Sequence, residues 1–198
     1  MVDDVDEIKL KTSYKHSFFS PSFGYTLMKR QAQSGLAILS NIPLIETHNT
    51  FTRLEYIKDF DILDTDYNAR SLQHVVVEHN GTNIHVLNHH GHHLPDHKNG
   101  DEETLRQCQM IVEYIEKLEG PKILCGDFNL SPESPSLQLI NAILINHAKE
   151  KGVLTTRTPL THKTEVCDYI FTSSDIEVTN FQVLNDIASD HKALTIEF

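Results

Sequence analysis

The pattern of hydrophobic positions along this chain predicts a series of β-strands interrupted by helices. Short apolar, β-branched runs occupy residues 34–41, 72–78, 83–88, 122–125, 166–171, 176–184 and 193–198. Asn80-Gly81 separates the second run from the third and is a strong hairpin signal, so these two strands should pair antiparallel. Aromatic residues mixed with turn formers at 18–25 are interpreted as a loop with buried rings.

Two segments change to a spacing of three and four residues, which predicts helices. In residues 101–118 the apolar side chains share one face, Asp101 can cap the first turn, and Gly120-Pro121 ends the helix. A second helix is predicted over residues 134–151. The chain opens with acids at Asp3, Asp4, Asp6 and Glu7, which is typical of a solvated first helical turn because the helix dipole favours negative charge there.

Polar side chains follow the predicted strand at 122–125, in the sequence Gly126-Asp127-Phe128-Asn129. Asp127 and Asn129 are two residues apart, so they should point the same way from the end of the strand. Such a pair can hold a metal, a water or a phosphate oxygen. The alternative is an Asx-type turn that leads into the following helix.

Histidines cluster at the end of the strand at 83–88, at His89, His90, His92, His93 and His97. A zinc site is disfavoured because no cysteine or acid stands at ligand spacing around them, and adjacent histidines on a strand face opposite ways. We therefore expect either His89 or His90 to point into a functional site, with the others on a polar loop.

The last third of the chain adds an acid inside an apolar run and an acid beside a histidine. Asp168 lies in the run at 166–171, where burial of its charge is costly without a partner. Ser189-Asp190-His191 precedes the final strand and, by itself, is typical of a turn. Together, Asp168 and His191 suggest an imidazole held by a buried carboxylate.

Composition narrows the function classes. The chain has 198 residues, enough for one domain, and a net charge of −11, which argues against a protein that coats nucleic acid. Three cysteines without metal-type spacing are interpreted as reduced core thiols of a cytoplasmic protein. No stretch is apolar enough to span a membrane, no signal peptide is recognised, and no obligate protein partner is indicated.

Four motifs in this order resemble the endonuclease/exonuclease/phosphatase superfamily, which includes deoxyribonucleases, abasic-site endonucleases, inositol-polyphosphate phosphatases and neutral sphingomyelinases. They are Asn88-His89-His90-Gly91, Gly126-Asp127-Phe128-Asn129, Asp168-Tyr169-Ile170-Phe171 and Ser189-Asp190-His191. The resemblance implies an α/β fold, a four-layer α/β sandwich with two mixed β-sheets packed face to face and helices outside. It also implies one domain over residues 1–198.

The resemblance assigns roles residue by residue. His90 is implied to bind phosphate, Asp127 to activate the attacking water, and Asn129 to steady that water and the phosphate. Asp190, with Asp127, is implied to bind Mg²⁺ or Mn²⁺, and Asp168 to hold the second active-site histidine, His191. The implied activity is metal-dependent hydrolysis of a phosphate ester, in nucleic acid or a small phosphodiester.

The sequence departs from the family before Gly35, where the glutamine-glutamate motif that supplies a metal-ligand glutamate is not found. The domain is therefore expected to be N-terminally incomplete relative to the family, and one of the first acids could replace that ligand. A catalytically impaired relative that binds phosphate without turnover is the alternative. Candidate phosphate contacts are Lys98, Arg106 and Arg157, although a surface role is favoured for each.

Overall fold

The structure is a computed structural model that describes residues 4–27, 30–61 and 69–198. The chain divides into two compact units, Met1–Asn88 and His89–Phe198. The single domain over residues 1–198 remains a prediction. Among the residues described, no helix is long and apolar enough to cross a membrane.

The first unit consists of one short helix and a series of strands. Its elements are α1 (Asp4–Lys11), β1 (His16–Leu27), β2 (Arg30–Ser40), β3 (Leu44–Arg53), β4 (Arg70–His79) and all but the end of β5 (Thr82–His90). β1 pairs with β2, and β3 pairs with β4, both antiparallel. The predicted hairpin is confirmed, because β4 and β5 are neighbours joined by Asn80 and Gly81, at φ values of 52° and 78°.

The interpretation of residues 18–25 as a loop is wrong, because these residues form the middle of β1. A shift of register between Pro21 and Phe23 accommodates the turn formers within the strand. Proline lacks an N–H and is tolerated in strands at such irregularities. The ladder to β2 therefore overrides the local turn signal.

The second unit alternates short helices with strands. Its elements are the end of β5, α2 (Glu102–Ile115), β6 (Lys122–Asp127), α3 (Pro135–Asn141), β7 (Ile145–Asn146), α4 (His147–Glu150), β8 (Asp168–Thr172), β9 (Asn180–Val183) and β10 (Leu194–Glu197). β8 pairs antiparallel with β6 on one side and β7 on the other, and β9 pairs with β10. The predicted strand at 176–184 is thus shorter than expected.

The first predicted helix is confirmed, with the cap that the sequence indicates. The Asp101 carboxylate accepts from the Thr104 N–H at 2.8 Å, and the Thr104 hydroxyl accepts from the Asp101 N–H at 2.8 Å. The predicted helix at 134–151 is wrong as a single element. Residues Ile145 and Asn146 leave it to pair with β8, and the Asn146 side chain then caps α4 by accepting from Lys149 N–H at 3.1 Å.

Apolar side chains from helices and strands form the core of the second unit. Those with the lowest exposure include Ile111, Leu124, Phe128, Leu137, Ile140 and Phe171. All three cysteines are free thiols; Cys108 and Cys167 are buried, and Cys125 is half-buried. Burial raises the pKa of Cys108 to about 12 and that of Cys125 to about 11. A cytoplasmic location remains a prediction.

Candidate active site

The close approach of two backbone segments in the second unit brings His90 to the end of β6. Gly126 has φ of 140°, and a Cβ on it would lie 1.9 Å from the carbonyl oxygen of His89. The Gly91 N–H donates to the Asp127 carbonyl at 2.8 Å. A residue with a side chain at position 126 would clash with the end of β5, so glycine is required for this approach.

Asp127 lies between two imidazoles. Its Oδ2 is 3.9 Å from His90 Nε2 and 3.8 Å from His191 Nε2. These separations are too long for direct hydrogen bonds and are of the size that a water or a phosphate oxygen bridges. His89 does not share this position; it is 1% exposed, and its ring packs edge-on to Phe128 with centroids 5.3 Å apart. Of the two adjacent histidines, His90 therefore faces the carboxylate.

Asp168 orients the ring of His191. Asp168 begins β8, directly opposite Asp127 on β6, and His191 lies in the segment that precedes β10. His191 Nδ1 lies 2.9 Å from both carboxylate oxygens of Asp168 and must be the donor, because a carboxylate only accepts. The Thr156 hydroxyl also donates to Asp168 Oδ2. The hydrogen bond to Asp168 raises the pKa of His191 and turns its Nε2 towards Asp127.

The environment makes Asp127 more basic than an exposed aspartate. Burial is the first cause of its raised pKa, and the negative charge of Asp168 is the second. The Asn129 N–H donates to Asp127 Oδ1 at 2.8 Å and opposes this shift. A carboxylate with a raised pKa is a better acceptor for a proton from water.

Both the oxygen and the nitrogen of the Asn129 side-chain amide are hydrogen-bonded to protein groups. The residue has φ of 55°, and its N–H completes an Asx-type turn with Asp127, so the turn and the polar cluster coexist. Its Oδ1 accepts from Lys98 Nζ at 2.8 Å and lies 2.9 Å from His93 Nδ1. Its Nδ2 donates to the Gly91 carbonyl at 3.3 Å. These bonds fix the orientation of the side chain.

Lys98 and Arg157 are buried at this site, so the surface role favoured for them is wrong. Arg106 does lie on the exposed face of α2, where it pairs with Glu103. Burial lowers the pKa of Lys98, and the negative charge of Asp127 opposes that shift. Hydropathy gave no signal for either buried cation, because the polar loops that carry them resemble solvated surface.

Arg157 is fixed opposite His191 by a short backbone pairing. The two residues form an isolated antiparallel bridge, flanked by the hydrogen bond from Thr158 N–H to the Asp190 carbonyl at 3.0 Å. The Arg157 side chain is 4% exposed. Its Nη1 donates to His191 Nε2 and lies 3.5 Å from Asp190 Oδ2.

Oxygen donors at this site suit a hard divalent cation. Asp127 Oδ2 and Asp190 Oδ2 each lie 3.8 Å from His191 Nε2, and the Asp190 side chain is 54% exposed. Mg²⁺ is commonly bound by one or two carboxylates plus water and phosphate oxygens, so both carboxylates offer the donor atoms that it prefers. Asp168 is less suited, because His191 and Thr156 already occupy its oxygens.

Within residues 4–27, 30–61 and 69–198, one group of metal-capable side chains brings its ligand atoms within 4.8 Å of one another: Asp127, Cys167, Asp168 and His191. Neither the loop histidines nor Asp190, which is one of the two predicted metal ligands, is part of this group. Burial raises the pKa of Cys167, so its thiol stays protonated and is a poor ligand. Asp6 and Glu7 are exposed on α1, and Asp3 lies outside the described residues; replacement of the family glutamate by an early acid remains a prediction.

The helices and strands of this chain make it an α/β protein. Acid, amide and imidazole groups gathered at the ends of neighbouring strands give it an enzyme-like polar site. It belongs to the endonuclease/exonuclease/phosphatase family, whose model matches residues 2–191. The family predicted from the four motifs is therefore confirmed. Members of this family are typically phosphoesterase hydrolases.

Solved structures confirm the α/β sandwich fold. A conserved protein of unknown function from Enterococcus faecalis is 20% identical, with a TM-score of 0.73 over 98% of this chain and 79% of its own. A family protein from Leptotrichia buccalis is 19% identical, with a TM-score of 0.70 over 98% and 76%. A mannosyl-6-phosphatase from Bacteroides thetaiotaomicron is 18% identical, with a TM-score of 0.62 over 91% and 76%. No curated protein matches the sequence significantly.

Proposed function

We propose that this chain hydrolyses phosphate esters by metal-assisted attack of water. The observation that carries the proposal is the position of Asp127, whose Oδ2 lies within 3.9 Å of two imidazole nitrogens, one of them on a ring oriented by Asp168. Family membership supports the reaction class, and the similar mannosyl-6-phosphatase acts on a phosphate ester.

Asp127 is the group that accepts a proton from the attacking water. Its raised pKa makes it a stronger base, and its Oδ1 is held by the Asn129 N–H, which leaves Oδ2 for the water. Asn129, fixed through Lys98 and His93, steadies the backbone turn around this carboxylate. The family motif further implies that the Asn129 amide contacts the phosphate.

His90 and His191 contact oxygens of the phosphate from two sides. His191 keeps its Nδ1 proton on Asp168, so its Nε2 is the atom that meets the phosphate. When the imidazole is protonated, its Nε2 no longer accepts from Arg157 Nη1 and instead donates a hydrogen bond to an oxygen whose negative charge grows as water attacks. Because the hydrogen bond to Asp168 raises the pKa of His191, the protonated form persists to higher pH.

Asp190, together with Asp127, would hold Mg²⁺ or Mn²⁺. When bound, such a cation offsets the charge that develops on the phosphate in the transition state. The net charge of −11 disfavours tight, sequence-independent binding along a nucleic acid. The substrate is therefore a small phosphodiester, or a phosphodiester of a nucleic acid that contacts the protein only near the site.

Hydrolysis of bis(p-nitrophenyl) phosphate tests the proposal, measured with Mg²⁺ or Mn²⁺ and again with a chelator. Asp127→Asn should lower kcat by about 10²- to 10⁴-fold, because it removes the base while keeping the shape of the side chain. Asp186→Asn, in an exposed loop between β9 and β10, is the matched control and should leave kcat unchanged. Turnover that survives both the chelator and Asp127→Asn would refute the mechanism. Absence of turnover in folded protein that still binds phosphate would favour a binding-only relative.

A further inference from the structure

The buried guanidinium of Arg157 has less protein contact than its burial requires. A charge removed from water is costly unless it is paired and hydrogen-bonded. Arg157 has one short contact, from Nη1 to His191 Nε2, and a longer approach of 3.5 Å to Asp190 Oδ2. Its Nε is buried and has no hydrogen-bond partner among the residues described.

A second arginine of this chain shows what a guanidinium satisfied by protein looks like. Arg106 on α2 presents its Nε and Nη2 to the two oxygens of Glu103, at 3.0 and 2.6 Å. This planar fork matches a carboxylate or a phosphate. In Arg157 the Nε of the same fork has no protein acceptor in the described part of the chain. The guanidinium of Arg157 is therefore less satisfied by protein than that of Arg106, and the atom that it directs towards His191 and Asp190 is Nη1.

The position of this guanidinium relates it to the reaction. Arg157 Nη1 contacts the same His191 Nε2 that lies 3.8 Å from Asp127 Oδ2. An oxygen bound by Arg157 would thus belong to a phosphate that also meets His191 and the water held by Asp127. The backbone bridge places Arg157 and His191 directly opposite one another.

We propose that Arg157 binds a non-bridging oxygen of the substrate phosphate through its guanidinium. This assignment rests on the proposed function, because it names a substrate contact of the same site. Arg157 supplies a permanent positive charge beside Asp190 and His191, and the oxygen that it holds presents the phosphorus to the water at Asp127.

Binding of inorganic phosphate tests the assignment without turnover. Titration calorimetry in the presence of Mg²⁺ compares the unmodified chain with Arg157→Gln, Arg157→Lys and Arg106→Gln. Loss of a charge-assisted hydrogen bond should weaken phosphate binding by about 10- to 100-fold in Arg157→Gln. Arg157→Lys should lie between, because lysine keeps the charge but lacks the fork. Arg106→Gln removes an arginine of equal charge from the surface and should bind phosphate as the unmodified chain does.

Phosphate affinity that is unchanged in folded Arg157→Gln would overturn the assignment, and so would an equal loss in Arg106→Gln. If Arg157→Gln does not fold, the ¹⁵N resonance of Arg157 Nε in the unmodified chain decides the question. A saturable shift of that resonance on addition of phosphate supports direct contact. No shift, while the amides of Asn129 and His191 respond, would overturn it.

The same samples separate this assignment from the proposed function. In a working hydrolase, Arg157→Gln should raise KM for bis(p-nitrophenyl) phosphate as well as lower kcat, whereas Asp127→Asn should act mainly on kcat. Arg157-dependent phosphate binding without turnover would sustain the assignment and reject the hydrolase. Metal-dependent turnover with an unchanged KM in Arg157→Gln would sustain the hydrolase and reject the assignment.

Discussion

Replacing Asp168 by asparagine should remove the charge-assisted hydrogen bond that orients His191 while leaving the shape of the site intact. The carboxylate accepts from His191 Nδ1 at 2.9 Å and from the Thr156 hydroxyl, and both bonds are charge-assisted. A hydrogen bond to a charged group is worth about 1.5–3 kcal/mol. If that energy holds the imidazole in its reactive orientation, its loss lowers kcat by about 10- to 100-fold.

The pH dependence of stability gives a second measure of the same change. The pKa of His191 is raised in the folded chain, first by its hydrogen bond to Asp168. Its contribution to stability is therefore fully present below the ordinary histidine pKa of 6.5 and is lost as pH rises through the raised value. Asp168→Asn should thus cost more free energy of unfolding at about pH 6 than at about pH 9.

Urea unfolding at the two pH values and an NMR titration of His191 measure these effects. The pKa of His191 should fall in Asp168→Asn, and the cost in unfolding free energy should be larger at the lower pH. Asp186→Asn is the control for loss of an exposed aspartate charge and should change neither quantity. An unchanged His191 titration, or an equal cost at both pH values, would refute the coupling between the two groups.

Two further substitutions test the strand ends. Asp127→Asn should stabilise the fold above the ordinary aspartate pKa, because the raised pKa of Asp127 means that folding disfavours its charged form. The gain in unfolding free energy should vanish below pH 3.8, where the carboxyl is protonated in both states. A loss of stability at neutral pH, measured by urea unfolding, would contradict this. Gly126→Ala should destabilise by about 2–6 kcal/mol, because its Cβ would lie 1.9 Å from the His89 carbonyl oxygen. Gly81→Ala also has a positive φ but no atom within 4 Å, so thermal unfolding should show a much smaller loss, and equal losses would argue against the clash.

The sequence predicted those elements whose local signals agree with their tertiary surroundings. The Asn80-Gly81 hairpin and the Asp101 cap are local devices, so both could be recognised without knowledge of partners. Residues 18–25 were wrongly predicted as a loop, because a bulged strand tolerates turn formers when a partner strand is present. The break after α3 depends on pairing of Ile145 with Thr172 in β8, a contact that spacing along the chain does not reveal.

The predicted site residues that the structure brings together are those that a motif carried. Asp127, Asp168 and His191 stand in motifs, and an acid inside an apolar run is itself an unusual pattern. Lys98 and Arg157 stand in polar loops without periodicity, and their burial arises from packing around Asn129 and His191. A sequence of one chain offers no signal that separates such a cation from a surface charge.

The low reactivity of the three native thiols bears on fluorescent labelling of this protein. Thiolates, not thiols, react with maleimides and peroxides, and burial keeps Cys108, Cys125 and Cys167 protonated at neutral pH. A cysteine introduced on the exposed face of α2, as in Glu113→Cys, would react far faster than the native three. A fluorescent label could therefore be attached at one site without removing any native cysteine.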